Sequence, residues 1–461
     1  MKPSRRELLL LGLILALTLA LRAATLFAVY GSNPDAILNP DSLTYEGPAR
    51  ALLATGRFDV DPRIPRPEVM RTPGYPLFLA AVYGVFGESR RAAILVQIFI
   101  SVGVMAGAWW LGRRIWDGRV ALLAVALLAL DPVSFLYSQL MLTETLYSAA
   151  LLLCVAAGLK LIASSRHELA WALALGLTLA LGTHIRPVHY YLIAPVLLIV
   201  LVVKRREGRP WKSVGVVLVA TALPFMLLVG GWQLRNLEAT GRSEFSFIKN
   251  YNLLFYRGAG ILALRDHVPF EEAQHRLERA WPNLSALSVA QRSDLEGREA
   301  LALLRRYPLL AAKMQVLGVA RLLFGPGGAG LRRYLGLQDQ SGPAGDLLTK
   351  PLREYLRIWV LGRPGQFALF LLECALMALL YVGLLAALWR VLTADRARLA
   401  IHVLLWGIMV YLVAISAGPE AYSRFRVPLM PLFALYAAWG WLELPRGTRA
   451  RKANATPPAQ A

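Results

Sequence analysis

The chain of 461 residues is short of cysteine, short of acid and short of charge altogether. Its two cysteines, Cys154 and Cys374, each lie inside an apolar run, which excludes a disulfide scaffold or a cysteine-built metal cluster. Charged residues make up 17% of the chain, against about a quarter in an ordinary soluble domain, which excludes a disordered tail-like protein. Soluble-enzyme motifs are missing too: there is no P-loop, HExxH, GxSxG or CxxC. With no nucleotide-binding loop, an activated donor has to reach the protein already carried in the membrane.

What is present is hydrophobicity in long runs. Apolar residues reach 57% and mean hydropathy is +0.49, the mark of a polytopic membrane protein. Runs long enough to cross a bilayer fall at about 8–29, 92–112, 119–137, 143–163, 169–185, 189–203, 213–232, 366–389, 399–416 and 425–442. The first is too long for a signal-peptide core and reads as an uncleaved span. Residues 74–87 are apolar but only fourteen long, a length more typical of an interfacial or re-entrant segment than of a span.

The net charge of +21 comes from 50 basic against 29 acidic residues. Most of the excess sits in short loops rather than in a basic stripe on a polar domain, so nucleic acid is not the partner and anionic membrane lipid is. If 74–87 does not cross, one side collects Lys2/Arg5/Arg6, Arg113/Arg114/Arg119, Arg166, the Lys204–Lys212 cluster, Arg390/Arg396/Arg398 and Arg446–Lys452. The positive-inside rule then gives about ten spans with both termini cytoplasmic.

This arrangement divides the chain into an N-terminal membrane module over 1–232 with a first outer loop at 30–73. A large outer loop with amphipathic stretches covers 233–365, C-terminal spans cover 366–443, and a cytoplasmic tail covers 444–461. The spans read as nearly free of ionisable groups at mid-depth, which argues against a transporter. Polar residues gather instead at the outer ends of spans.

Asp41, in Asn39-Pro40-Asp41-Ser42, opens a short amphipathic segment that Gly56 ends. A carboxylate there can take a proton from an attacking hydroxyl, although Asp after Pro is also an ordinary turn residue. Arg71 precedes Thr72-Pro73-Gly74-Tyr75-Pro76, a forced bend, and its guanidinium suits a lipid phosphate as well as it suits snorkelling. Thr143-Glu144 is good helix-start chemistry in its own right. His184, Arg186 and His189 join two spans; two histidines five apart with no third ligand make a weak metal site, so no metal is expected. Arg235-Asn236 and Arg424-Phe425-Arg426 complete four basic clusters on the outer face, against the positive-inside trend.

Taken in order, Asp41 with Tyr45, Arg71-Thr-Pro-Gly-Tyr-Pro, Arg113-Arg114 through Gly118-Arg119, Thr143-Glu144-Thr145-Leu146, Arg186-Pro187, Arg235-Asn236 and Arg424-Phe-Arg426-Val-Pro428 resemble a GT-C membrane glycosyltransferase. The similarity is to the branch of the protein O-mannosyltransferases and the lipid A aminoarabinose transferase. It implies an all-α integral membrane fold of about ten helices, with interfacial helices in the first outer loop. It also implies a polyprenyl-phosphate-linked sugar donor, a glycan, lipid or protein acceptor, and a site on the periplasmic side of a bacterial inner membrane.

In that resemblance Asp41 matches the family's first-loop acid, the catalytic base, and Arg71 matches a basic position that contacts the donor phosphate; on chemical grounds Arg186, Arg235 or Arg426 would add cationic help at that phosphate. Tyr45, Glu144, His189, Asn236 and Arg424 are further site candidates; no cofactor is expected, and for want of a ligand set in the sequence no metal is expected either. Two departures stand out. Ser42 follows Asp41 where many protein mannosyltransferases carry a second acid, and Gly47-Pro48 is expected to interrupt the helix after Asp41.

Overall fold

The structure, a computed structural model, describes residues 3–163, 166–282, 284–337, 343, 350–393 and 398–453. The Ala/Pro-rich end of the chain from 454 on, and most of the Gly/Pro-rich stretch 325–346 beyond 337, lie outside the described residues.

Among the described residues, eight helices are long and apolar enough to cross a membrane, or ten if each of two bent pairs counts as one span. The first is α1 (Arg5–Ser32), capped by Ser4, whose side chain accepts the Glu7 N–H. The chain then folds into α2 (Ser42–Thr55), a short antiparallel hairpin of β1 (Asp59–Asp61) and β2 (Ile64–Pro67), and α3 (Gly74–Phe86). Helix α4 (Arg90–Ile115) follows, then α5 (Gly118–Leu130) and α6 (Pro132–Gln139), bent by 62° at Asp131. Pro132 is the cause, since its preceding residue is pushed to extended backbone and Asp131 caps the second helix through Ser134 N–H.

After these come α7 (Glu144–Ala163), α8 (Glu168–Ile185), α9 (Ile193–Arg206), which is preceded by a 3-10 turn, and α10 (Trp211–Thr240). The expected division at 232 falls inside α10. The stretch 233–365 carries amphipathic helices at Phe270–Ala280 and Val289–Arg306, the latter opened by a capping box between Ser288 and Gln291. The apolar helix Pro308–Phe324 turns away from its predecessor by 99°. Helices Pro364–Thr393 and Leu399–Ser416 follow, and the last helix, Met430–Ala453, has its first ten residues all buried by its neighbours. It crosses Pro364–Thr393 so closely that a Cβ on Gly383 would sit 2.6 Å from the Ala437 carbonyl oxygen. Small residues let two backbones meet where lipid offers no hydrophobic drive.

Two sequence expectations are corrected here. Gly47-Pro48 does not interrupt α2, which runs through Pro48 and stops at Gly56 in the left-handed conformation (φ 69°). Gly47 is needed for a different reason: the Val60 carbonyl of the hairpin presses on its face, where a Cβ would clash.

The spans also are not free of ionisable groups. Arg22 of α1 is buried and donates to Ser101 Oγ at 2.8 Å, and Asp131 is buried at the α5–α6 break. Glu373 of Pro364–Thr393 accepts the backbone N–H groups of Gly327 and Gly328. Each of these three charges was hidden in the sequence by the apolar run around it, and each faces protein rather than lipid.

Candidate functional site

Three ties place the segment between α1 and α4 against the ends of neighbouring helices. Ser42 Oγ donates to the Met141 carbonyl at 2.9 Å, and Met141 N–H donates to Ile37 O at 2.9 Å. Gln97, fully buried on α4, donates to Leu140 O at 2.7 Å and accepts from the Tyr75 hydroxyl at 2.9 Å. Together they hold the 140–143 turn, which delivers Glu144, beside the turn that delivers Asp41. Buried Glu46 of α2 takes Arg90 of α4 (2.6 and 2.8 Å) and Tyr83 of α3 (2.9 Å), locking α2 to the helices behind it. At the head of α3, a Cβ on Gly74 would lie 2.7 Å from His184 O, so only glycine lets this segment seat against the end of α8.

The result is a chain of alternating charge drawn from five separate segments. Arg71 Nη2 donates to Asp41 Oδ1 at 2.8 Å, and Arg424 Nη1 donates to Asp41 Oδ2 at 2.9 Å. Arg424 Nε also donates to Glu144 Oε1, which takes Arg186 Nη1 at 2.7 Å as well. Arg71 lies over the Tyr45 ring at 4.8 Å, and Arg186 lies between Tyr147 and Phe425. Three guanidiniums against two carboxylates leave one positive charge in excess.

Burial alone would raise the Asp41 pKa. Arg424 and Arg71 outweigh it and hold the carboxyl below its ordinary range, so Asp41 is ionised. Glu68 supports the site from beneath by accepting the backbone N–H groups of Met70 (2.6 Å) and Arg71 (2.8 Å).

Of the ten candidate residues, the structure brings Asp41, Tyr45, Arg71, Glu144, Arg186 and Arg424 together. It places the other four elsewhere. Arg235 spends its guanidinium on the carbonyls of Glu68 (2.6 Å) and Phe58 (2.8 Å) and stacks on Trp232, pinning the hairpin segment to α10. Asn236 Nδ2 donates to Glu244 O (2.8 Å) and Phe245 O (3.1 Å). Buried Arg426 ties down the end of Pro308–Phe324 through the carbonyls of Leu323 (2.8 Å) and Gly325 (3.1 Å). Buried His189 pairs with the Tyr147 hydroxyl at 2.9 Å, one layer behind Arg186.

In this structure Arg235 and Arg426 thus have their guanidiniums aimed at backbone carbonyl groups. Sequence reading missed Ser42, Gln97 and Glu68, whose roles depend on partners far away in the chain. Among the described residues no cluster of three or more His, Cys, Asp or Glu could hold a metal ion.

Comparison with known proteins adds to this geometry. Residues 70–232 match the family model of dolichyl-phosphate-mannose-protein mannosyltransferase, a segment that includes Arg71, Glu144 and Arg186. No curated protein sequence matches the chain. Among solved structures, the archaeal oligosaccharyltransferase AglB from Archaeoglobus fulgidus, in complex with an inhibitory peptide and a dolichol-phosphate, superposes with a TM-score of 0.50 at 12% identity. That match covers 97% of this chain and 52% of the oligosaccharyltransferase, so the chain spans about half that protein's length. ArnT from Cupriavidus metallidurans bound to undecaprenyl phosphate matches at a TM-score of 0.38 and 16% identity, covering 96% of this chain and 81% of that one. The protein has a GT-C-like membrane fold, and residues 70–232 match the family model of the dolichyl-phosphate-mannose-protein mannosyltransferases.

Proposed function

We propose that the protein is a membrane glycosyltransferase that moves a sugar from a polyprenyl-phosphate carrier to an acceptor on the extracytoplasmic face. The observation that carries this reading is the Arg71–Asp41–Arg424–Glu144–Arg186 chain, a part-buried site with one net positive charge beside an ionised carboxylate. An anion is what such a site lacks, and phosphate matches guanidinium in both charge and geometry.

The chemistry needs little more. In a polyprenyl-phosphate sugar the leaving group is a phosphate monoester, stable as an anion without protonation, so the two carboxylic acids of a glycosidase are not required. The acceptor hydroxyl gives its proton to Asp41 as its oxygen bonds to the anomeric carbon. The carbon–oxygen bond to phosphate breaks, and the phosphate keeps the electron pair, which Arg71 and Arg424 stabilise. A single displacement of this kind inverts the anomeric centre. The acceptor is a glycan, lipid or protein presented to the outer face.

A competing reading is a transporter of lipid-linked sugars. Against it, the buried charges within the spans, Arg22, Asp131 and Glu373, are each engaged by protein groups, and the two cavities they line hold about 20–30 Å³ each. The test is to add an envelope acceptor extract and a polyprenyl-phosphate sugar to detergent-purified protein. Release of free polyprenyl phosphate supports transfer, and recovery of the intact sugar-lipid alone opposes it.

A further inference from the structure

Arg71 and Arg424 reach Asp41 from opposite sides, one on each carboxylate oxygen, at 2.8 and 2.9 Å. Neither cation is free to move far. Arg71 is held at its backbone by Glu68 and lies on Tyr45, while Arg424 is anchored through Nε to buried Glu144. Asp41 is the loosest member of the set, at 32% side-chain exposure against 19% for Arg71 and 8% for Arg424. It caps no helix end, since no side-chain capping bond is made at the start of α2.

From this geometry, and resting on the donor reading above, we propose that Asp41 and the donor phosphate compete for the same two guanidiniums, so that phosphate binding is what releases the carboxylate to act on the acceptor. A phosphate engaging Arg71 Nη2 and Arg424 Nη1 takes the N–H groups that now bind Asp41 Oδ1 and Oδ2. The two arginines keep their positions because their anchors, Glu68, Tyr45 and Glu144, are not part of the exchange. The carboxylate, relieved of two cations and facing the newly arrived anionic phosphodiester, becomes the stronger base. An acceptor hydroxyl thus meets a competent base only when a donor is in place, which orders the reaction with donor first. No atom is gained or lost in the exchange: two ion pairs break and two form.

The competition has an opposite sign for binding and for catalysis, and this separates it from a merely structural role for Asp41. The experiment titrates undecaprenyl phosphate into detergent-purified wild type, Asp41→Asn, Asp41→Ser and Arg71→Ala, with inorganic phosphate titrated in parallel. Asp41→Asn and Asp41→Ser are expected to bind undecaprenyl phosphate about tenfold or more tightly than wild type, the scale of one charge-assisted hydrogen bond regained. Both are expected to lose transfer, and Arg71→Ala to bind more weakly.

The use of two substitutions keeps the test open if one fails to fold. Wild type that binds while both Asp41 variants bind equally or more weakly would overturn the competition and leave the donor reading standing. Failure of every protein to bind the lipid would overturn the donor reading and the competition with it. Equal affinity for inorganic phosphate would show that the headgroup alone, and not the carrier lipid, is recognised. That outcome supports the competition but not the choice of carrier.

Discussion

Replacing Arg424 is the most informative perturbation of the charge chain, because one side chain bridges two carboxylates. Arg424 is 8% exposed and Glu144 is 0% exposed at the side chain. In Arg424→Ala, Asp41 keeps Arg71 and Glu144 keeps Arg186, but a cavity opens and the buried carboxylate loses half its compensation. Glu144 Oε2 already has no hydrogen-bond partner, so nothing nearby replaces the lost donor. Removing one partner of a buried ion pair costs about 3–5 kcal/mol, and the surviving Arg186 contact places this case near 3. Arg424→Lys keeps the charge but cannot span both acids, since an ammonium is a point donor rather than a planar fork. It should lose one charge-assisted bond, about 1.5–3 kcal/mol. The assay is the midpoint of thermal aggregation in detergent, followed by size-exclusion fluorescence. The expected order is wild type, then Arg424→Lys, then Arg424→Ala. An Arg424→Ala protein as stable as wild type would show that the bridge contributes nothing and would refute the account of how the site is held.

Asp41→Asn should lower sugar transfer by about a hundredfold or more while the protein still folds, measured as release of free polyprenyl phosphate; wild-type rates would end the base assignment. Arg71→Ala should weaken undecaprenyl phosphate binding about ten- to a hundredfold, read by titration, whereas unchanged affinity would remove Arg71 from the phosphate site. Gly383→Leu should destabilise the packing of Pro364–Thr393 against Met430–Ala453, because the Ala437 carbonyl sits 2.6 Å from the new Cβ; a wild-type thermal midpoint would contradict that crossing. The folded-state pKa of Asp41 lies below its unfolded value. Its ion pairs therefore contribute stability in full above the unfolded value and lose it only as pH falls through the lower, folded one. Acid unfolding of Asp41→Asn should lack that loss, and identical acid profiles for the two proteins would count against the ion pairs.

The all-α membrane class was legible because it rests on run length and loop charge, which are local properties. The run at 119–137 hid a break, since Asp131-Pro132 interrupts an otherwise apolar stretch without changing its hydropathy. The last helix was found as an apolar run, yet nothing in its composition says that its first ten residues are enclosed by protein. At the site, Asp41, Arg71, Glu144 and Arg186 stood out because each is a charged residue at the outer end of a span or beside a turn-forming proline.

Arg424 and Arg426 show where such reading stops. They lie two residues apart in one 3-10 turn, Ser423–Leu429, and have the same chemistry. One bridges Asp41 and Glu144 and the other binds three carbonyls. Which one faces the site depends on the phase of that turn and on where Pro308–Phe324 ends, and both are tertiary facts. Arg235 shows the same limit: a basic residue at a span's end can serve a phosphate or a backbone carbonyl, and in this structure its guanidinium is on the carbonyls of Glu68 and Phe58.

The most direct test of the central claim is an experimental structure of the protein with undecaprenyl phosphate bound in a lipid nanodisc. The account predicts phosphate oxygens within hydrogen-bond distance of Arg71 and Arg424, with the Asp41 carboxylate turned off both. A phosphate lodged elsewhere on the protein, with Asp41 still bridging the two arginines, would contradict it.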